Sequence, residues 1–351
     1  MSFFLRKWGI GAKSRNNTER KMLMSKVTNW GIMATGKIAH KFAEAVNYVP
    51  DAKLYACASR TEEKAREFGA RYGAEKCYGS YEQLAADPNV DIIYVASPMS
   101  CHYENVKLCF EHGKNVLCEK SITLNAFQFE ELISIAREKK LFFMEAMWMK
   151  YMPVFRKAKE WFSTGRIGEI KSVHAVFSNA VEFDPDDRLF RPDLGGGALL
   201  DLGVYPVTFI TAFLGFEPEK MQSSVNMGKT GVDMDEAVIM QYKNAYGSFA
   251  AGFNLENLNP AAIVGTKGRI TFKQWFFCTD TARLYDENGK LLEESITPHL
   301  CNGYEYEIME AQQCMAEGLL ESRLNPLSET MAVMKIMDSL RKSWGYLFEG
   351  E

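Results

Sequence analysis

A chain of 351 residues, 47% hydrophobic and 25% charged, is long enough for two domains and too apolar to be mainly disordered. A formal net charge of −4 argues against a surface built to hold a phosphate backbone, so no nucleic-acid partner is expected. No run approaches the ~18 uninterrupted apolar residues of a membrane helix, and the five histidines show no H-x-x-x-H spacing, so neither a membrane partner nor a metal site is expected.

The eight cysteines, at 57, 77, 101, 109, 118, 278, 301 and 314, include no C-x-x-C pair, which is the usage of reduced, cytoplasmic thiols. Residues 1–26 are basic and lack the apolar centre of a secretory signal, so they read as a poorly ordered extension. The regular pattern starts at Val27.

From there short apolar runs alternate with amphipathic segments, the order of βαβ units around a parallel sheet. Strands are predicted at Trp30 to Ala34, Leu54 to Ala58, Ile92 to Ala96, Asn115 to Cys118 and Leu141 to Glu145. Helices are predicted at Ile38 to Val46, Glu62 to Tyr72, Ser80 to Ala86, Tyr103 to Glu111 and Ala126 to Lys139, with capping-box starts at Ser80 and Asn125. After Trp148 the pattern changes. A helix from Val154 to Phe162 leads into strands at Ile170 to Ser178, Met221 to Met227, Ala237 to Tyr242, Gly247 to Asn254, Ala262 to Gly265, Arg269 to Phe272 and Ala282 to Tyr285. Few helices interrupt them, so the second sheet is expected to be mostly antiparallel. Helices near Gly197 to Phe213, Tyr306 to Leu320 and Leu327 to Tyr346 complete the chain.

The fold class is therefore α/β: a Rossmann dinucleotide-binding domain over 27–147, then an α+β domain with an open antiparallel sheet over 148–351 for substrate binding and oligomerisation. The C-terminal helix 327–346 is expected to pack back on the first domain.

Gly31-Ile32-Met33-Ala34-Thr35-Gly36-Lys37-Ile38-Ala39 falls where the first strand turns into the first helix, so Ala34, Thr35, Gly36, Lys37 and Ile38 are positioned to present backbone amides to a pyrophosphate. Ala34 replaces the first glycine of G-x-G-x-x-G/A, which is expected to be tolerated with φ below zero. At the end of the second strand, Ser59 and Arg60 stand where an NAD enzyme carries a carboxylate, and Lys64 follows one helical turn later. That trio suits a 2′-phosphate, hence NADP, with NAD the alternative cofactor. The plainer reading of Arg60 and Lys64 is solvated charges at a helix start.

Three further stretches carry a resemblance. They are Ala96-Ser97-Pro98 with His102; Cys118-Glu119-Lys120; and Gly195-Gly196-Gly197-Ala198-Leu199-Leu200-Asp201-Leu202-Gly203-Val204-Tyr205. Over roughly residues 27 to 346 the chain resembles the Gfo/Idh/MocA oxidoreductases. The resemblance implies that Ser97, Pro98, His102, Glu119 and Lys120 line the cofactor, and that Lys120, Asp201 and Tyr205 are catalytic. Ser121 departs from the proline usual after the lysine. Tyr205 replaces the commoner histidine and is similar to the dihydrodiol dehydrogenase-like branch, which uses NADP. Trp148 and Lys150, after Met144-Glu145-Ala146-Met147, also look like that branch and are assigned to substrate binding with Asp201, although arginine is commoner at 150. His102 beside the nicotinamide and His102 as a packed or capping residue stay open.

Oxidising a secondary alcohol needs a hydride acceptor and a base. Tyr205 is the expected base, with Lys120 expected to lower its pKa, and Asp201, four residues earlier, is expected on the same helix face. Singly, each has a plainer reading, as a surface lysine, a helix-start charge and a core aromatic; in order along one chain they favour a site. The Gly195–Gly197 run is expected to let cofactor or substrate approach the backbone. The function expected is hydride transfer between NADP and a polyol, sugar or diol in a homodimer or higher oligomer formed through the second sheet, against an NADP-sensing regulator of the same fold.

Overall fold

The computed structural model describes residues 27–254, 259–348 and 351; the basic extension 1–26 lies outside the described residues. The first half is a six-stranded parallel sheet in the order β3-β2-β1-β4-β5-β6, with β1 Thr28–Met33, β2 Ala52–Ala58, β3 Lys76–Tyr78, β4 Ile92–Val95, β5 Asn115–Glu119 and β6 Phe143–Ala146. That order is the doubly wound dinucleotide-binding arrangement, with its switch point between β1 and β4. Strands covered on both faces need continuous apolar runs, and Ile92–Val95 is buried at every position. The crossover helices are α1 Lys37–Val46, α2 Glu62–Tyr72, α3 Tyr81–Ala86, α4 His102–Glu111 and α5 Ala126–Lys139. Ser80 and Asn125 cap α3 and α5 by accepting from the backbone N–H of Gln83 and Gln128.

The second half follows α6 Pro153–Ser163. Its eight strands run β14-β13-β12-β11-β7-β10-β9-β8, with β7 Ile170–Ser178, β8 Lys220–Met227, β9 Asp233–Gln241, β10 Tyr246–Gly252, β11 Ala261–Gly265, β12 Gly268–Phe272, β13 Thr281–Asp286 and β14 Leu291–Ile296. Every pairing is antiparallel except β7 with β10, where Ala175 lies beside Phe249. One face, including Val173, Ala175, Phe249, Ile263 and Ile270, is buried. On the other, Ile239 and Tyr246 are 49% and 46% exposed.

The helix expected over Gly197 to Phe213 is built in two parts, a π-helical segment Leu199–Gly203 and α7 Val204–Leu214. Its hydrophobic period alone does not distinguish them. Among the described residues, one helical run, Pro192–Leu214, has the length and apolarity of a membrane span, but most of it is buried and α7 packs on the inner face of the second sheet. The chain ends with α8 Glu305–Ala316 and α9 Leu327–Ser343. Helix α9 reaches the first half: Ala126 N–H donates to Asp338 (2.9 Å), and Arg341 donates to the Leu124 carbonyl (3.4 Å).

Ala34 corrects the expectation of a negative φ, because it sits at φ 74°. The turn from β1 into α1 imposes the left-handed conformation whichever residue stands there. That conformation costs a non-glycine residue ~1–2 kcal/mol, partly offset by the smaller unfolded-state entropy of alanine, ~0.4–1 kcal/mol. Ala34→Gly is therefore expected to raise the melting temperature by about 1–3 °C, corresponding to about 0.5–1 kcal/mol. An unchanged or lowered midpoint in calorimetry would show that the turn carries no strain.

Candidate active site

The nucleotide end is assembled at the switch point. Gly36 ends the turn as the N-cap of α1 and supplies no side chain, so the first-turn amides at Lys37 and Ile38 keep their donor capacity. A Cβ at Gly36 would meet nothing within 4 Å, which leaves open space in front of those amides. Thr35 donates its hydroxyl to Ser59 (3.1 Å), joining the first turn to the end of β2. Beyond Ser59, Arg60 and Lys64 are exposed on either side of the start of α2 in the chain, and that start is capped by Thr61 accepting from Lys64 N–H. Exposed amides, two exposed cations and a glycine-sized opening fit a dinucleotide with an additional phosphate.

Across the cleft, β5 delivers Glu119 and Lys120. The Lys120 ammonium donates to the backbone carbonyl of Asp201 at 2.6 Å, lies 3.6 Å from that residue's Oδ1, and stands 5.1 Å from the centre of the Tyr205 ring. Ser121, in the usual proline position, donates to the Leu200 carbonyl (2.8 Å), so this turn and the π segment are tied at two points. Asp201 and Tyr205 thus share the site, but through a π turn rather than along one face of a regular α-helix.

Tyr205 is 5% exposed. Trp148 Nε1–H donates to its hydroxyl oxygen at 2.8 Å, which leaves the tyrosine O–H as the donor still to be used. Burial first, and then the nearby Glu119 carboxylate, push the phenol well above its ordinary pKa, outweighing the indole bond. The expectation that Lys120 brings Tyr205 down is therefore corrected: the ammonium lies over the ring, and burial decides the direction. Asp201 goes the other way. Burial raises it, but Lys120 and then Arg188 more than compensate, and the carboxyl sits below its ordinary value.

Arg188 was not anticipated. Both of its terminal nitrogens lie 3.3 Å from Asp201 Oδ1, although it stands in the Glu182–Arg191 loop, where no sequence motif marks it. An aromatic wall was also missed. Tyr304 stacks on Trp148 at 4.6 Å, Phe277 lies 4.9 Å from Tyr205, and Phe177 stacks on Phe277 at 4.1 Å with Trp275 nearby.

Other expected site residues lie behind this surface. His102 is 1% exposed, with Nδ1 3.0 Å from the Ser121 carbonyl and Nε2 2.9 Å from that of Ser97. Burial lowers its pKa to about 4, so as a neutral imidazole it donates to one of the two carbonyls and only packs against the other, from behind the cleft. Ser97 is buried and accepts from Asn105 (2.8 Å), while Pro98 is exposed beside it. Glu119 accepts from Tyr94 and from the Lys120 N–H (3.1 Å), and burial raises its pKa.

Lys150 does not join the cleft. It is 5% exposed, donates to Asn325 (2.9 Å) and pairs with Glu329, which anchors α9. The glycine run is also explained internally. A Cβ at Gly196 would come within 2.7–2.9 Å of the Leu189, Arg191 and Arg188 carbonyls, and one at Gly197 would lie 2.2 Å from Asp233. The run lets the chain approach itself, and Asp233 then accepts from Leu199 N–H at 2.6 Å.

A Rossmann sheet facing a second sheet across a lysine, an aspartate and a tyrosine defines a nucleotide-binding oxidoreductase. Residues 28–147 match the profile described as an oxidoreductase family with NAD-binding Rossmann fold, GFO_IDH_MocA, and residues 155–271 match the GFO/IDH/MocA C-terminal domain. The chain belongs to the Gfo/Idh/MocA oxidoreductase family. It is 36% identical to trans-1,2-dihydrobenzene-1,2-diol dehydrogenase of Xenopus tropicalis over 92% of this chain and 99% of the relative. It is 34% identical to the D-xylose 1-dehydrogenase (NADP(+)) of Hypocrea jecorina over 91% and 92%. A solved 3-ketoreductase of Actinomadura kijaniata, in complex with NADP and TDP-benzene, superposes with a TM-score of 0.80 at 25% identity, covering 90% of this chain and 97% of that one.

Proposed function

We propose that this protein is an NADP-dependent dehydrogenase/reductase acting on a secondary alcohol of a cyclic trans-diol, sugar or polyol. The observation that carries the reading is the Tyr205 hydroxyl, which accepts from Trp148 Nε1–H and so keeps its own proton for a further partner, beside the Lys120–Asp201 pair. Bound NADP(H) supplies or accepts the hydride. Tyr205 exchanges the hydroxyl proton of the substrate, Lys120 stabilises negative charge developing on that oxygen, and Asp201 accepts a hydrogen bond from a neighbouring hydroxyl. The wall of Trp148, Phe277 and Tyr304 favours a flat or ring-shaped substrate. The named relatives are a dihydrodiol dehydrogenase and a D-xylose dehydrogenase, which supports the same substrate range and an enzyme over a sensor. The test is NADP reduction against a panel of trans-dihydrodiols, aldoses and polyols; no turnover on any of them would overturn the reading.

Ser59, Arg60 and Lys64 are proposed to hold the 2′-phosphate. Arg60→Ala is expected to weaken NADPH binding about 10-fold, the scale of one charge-assisted contact, and to leave NADH nearly unchanged. Fluorescence titration of both nucleotides checks this, and an equal change for NADH would move the phosphate site elsewhere.

The domain division near residue 147, a cytoplasmic location and a homodimer are part of the same proposal. All eight cysteines are free, which supports a reducing compartment. The uncovered sheet face, which exposes Ile239 and Tyr246 on the adjacent strands β9 and β10, supports a two-fold dimer. Light scattering at micromolar concentration should give twice the monomer mass, and Ile239→Lys should lower it; a monomeric wild type contradicts the dimer.

A further inference from the structure

Cys57 and Cys77 stand opposite each other in the register of the parallel pair β2 and β3, with their sulfurs 3.8 Å apart. Neighbouring strands lie ~4.8 Å apart and directly paired residues share a face, so the pair falls inside the ~4.4–6.8 Å Cα range of a disulfide. The covering helix leaves them room: a Cβ at Gly69 of α2 would lie 2.3 Å from the Cys77 sulfur and 3.5 Å from that of Cys57. Cys77 is partly exposed and Cys57 fully buried, so an oxidant in solution reaches Cys77 first.

The pair is placed at the root of the nucleotide site. Cys57 precedes Ser59 by two residues, and Ser59 N–H donates to the carbonyl of Tyr78, the neighbour of Cys77 (3.1 Å). The Cys57 thiol donates to the Ala65 carbonyl of α2 (3.2 Å), the residue after Lys64. Both sulfurs are thus mechanically joined to the loop and helix start that carry Ser59, Arg60 and Lys64.

We propose that Cys57 and Cys77 form a reversible disulfide, by exchange with a small-molecule disulfide of the glutathione class, and that its closure lowers affinity for NADP(H). The second part rests on the reading that Ser59, Arg60 and Lys64 hold the 2′-phosphate. Cys77, as thiolate, attacks the external disulfide, forming a mixed disulfide and expelling one thiolate. The Cys57 sulfur then attacks the Cys77 sulfur, and its proton leaves with the second thiolate that this expels. Two electrons pass from the protein dithiol to the external disulfide, and the two protons released leave it as two thiols. Closure draws the sulfurs to about 2 Å, removes the S–H donor to Ala65, and shifts β2 against α2 beneath the phosphate loop.

The experiment equilibrates the full chain in buffers of increasing oxidised-to-reduced glutathione ratio. Each sample is read by mass spectrometry of unreduced peptides and by NADPH fluorescence titration. The expected results are a Cys57–Cys77 linked peptide, an NADPH dissociation constant raised about 3- to 10-fold, and recovery with dithiothreitol. Cys57→Ser and Cys77→Ser should each lose both the peptide and the sensitivity. Reciprocity requires that bound NADPH shift the oxidation midpoint by the same factor. No linked peptide at the most oxidising ratio, an unchanged dissociation constant once it is linked, or equal sensitivity in Cys77→Ser each overturn the proposal. Equal NADPH affinity of reduced wild type and Arg60→Ala would sink the phosphate reading, and the coupling with it, while the mass spectrum still decides the disulfide separately.

Discussion

Tyr205→Phe is expected to lower turnover by about 10²-fold or more, the scale of losing one general acid–base group, with NADPH affinity within about twofold of wild type. The substitution removes only the hydroxyl, so the ring keeps its contacts with Phe277 and Phe177, and the fold should persist. Its cost outside catalysis is the bond from Trp148 Nε1–H, which loses its acceptor. A small drop in melting temperature is therefore expected beside the large drop in rate. The pH profile separates a proton-transfer role from a packing role. Burial and Glu119 hold the phenol well above its ordinary pKa, so the proton-bearing form dominates throughout the neutral range. Carbonyl reduction, which uses that form, should be flat from about pH 6 to 9. Alcohol oxidation, which uses the scarce phenolate, should climb by up to about tenfold per pH unit with no plateau below about pH 10. Steady-state kinetics in both directions, for wild type and variant, check this. A variant near wild-type turnover, or an oxidation plateau near pH 8, would assign the proton to another group.

How far the sequence carried the reading depends on what each residue's role needs. Helices Glu62–Tyr72 and Ala126–Lys139 were legible to the residue, because their polar starts and apolar spacing are local signals. Strands Lys76–Tyr78 and Leu291–Ile296 were not. Both are sheet edges with only half-buried or exposed positions, so no apolar alternation is imposed on them. Lys120, Asp201 and Tyr205 were legible because each sits in a motif. Arg188, Phe277 and Tyr304 reach the same cleft from separate loops and were not, since nothing along the chain states that proximity. Three errors have a common origin. The positive φ of Ala34, the raised Tyr205 phenol and the internal use of Gly196 and Gly197 are set by the surroundings of each residue, whereas the sequence shows only the residue itself. Lys150 follows the same rule: its ammonium is used up on Asn325 and Glu329, partners some 175 residues away that no local pattern announces.

Lys120→Met is expected to be at least as damaging as the tyrosine substitution, with turnover reduced by about 10²- to 10³-fold, because it removes the cation that meets both the Tyr205 ring and Asp201. Methionine fills a similar volume, and Ser121 still ties the turn to the Leu200 carbonyl, so a folded protein is expected. Lys120→Arg should rescue poorly. The ammonium makes a point contact with the Asp201 carbonyl at 2.6 Å, which a planar fork of five donors cannot reproduce in the same space. The pH dependence supplies a signature that misfolding would not imitate. In wild type, burial raises the Asp201 carboxyl while Lys120, the larger of the two cationic influences, and Arg188 bring it below the ordinary value. Without Lys120, burial is opposed mainly by the exposed Arg188, so the Asp201 pKa must rise, and the acidic limb of kcat/KM should move to higher pH. The double variant Lys120→Met with Tyr205→Phe should be scarcely slower than the worse single variant, since both residues serve one proton transfer. Losses that multiplied in full, or an acidic limb that stayed in place, would show that Lys120 acts apart from Tyr205 and Asp201 and would break the proposed triad.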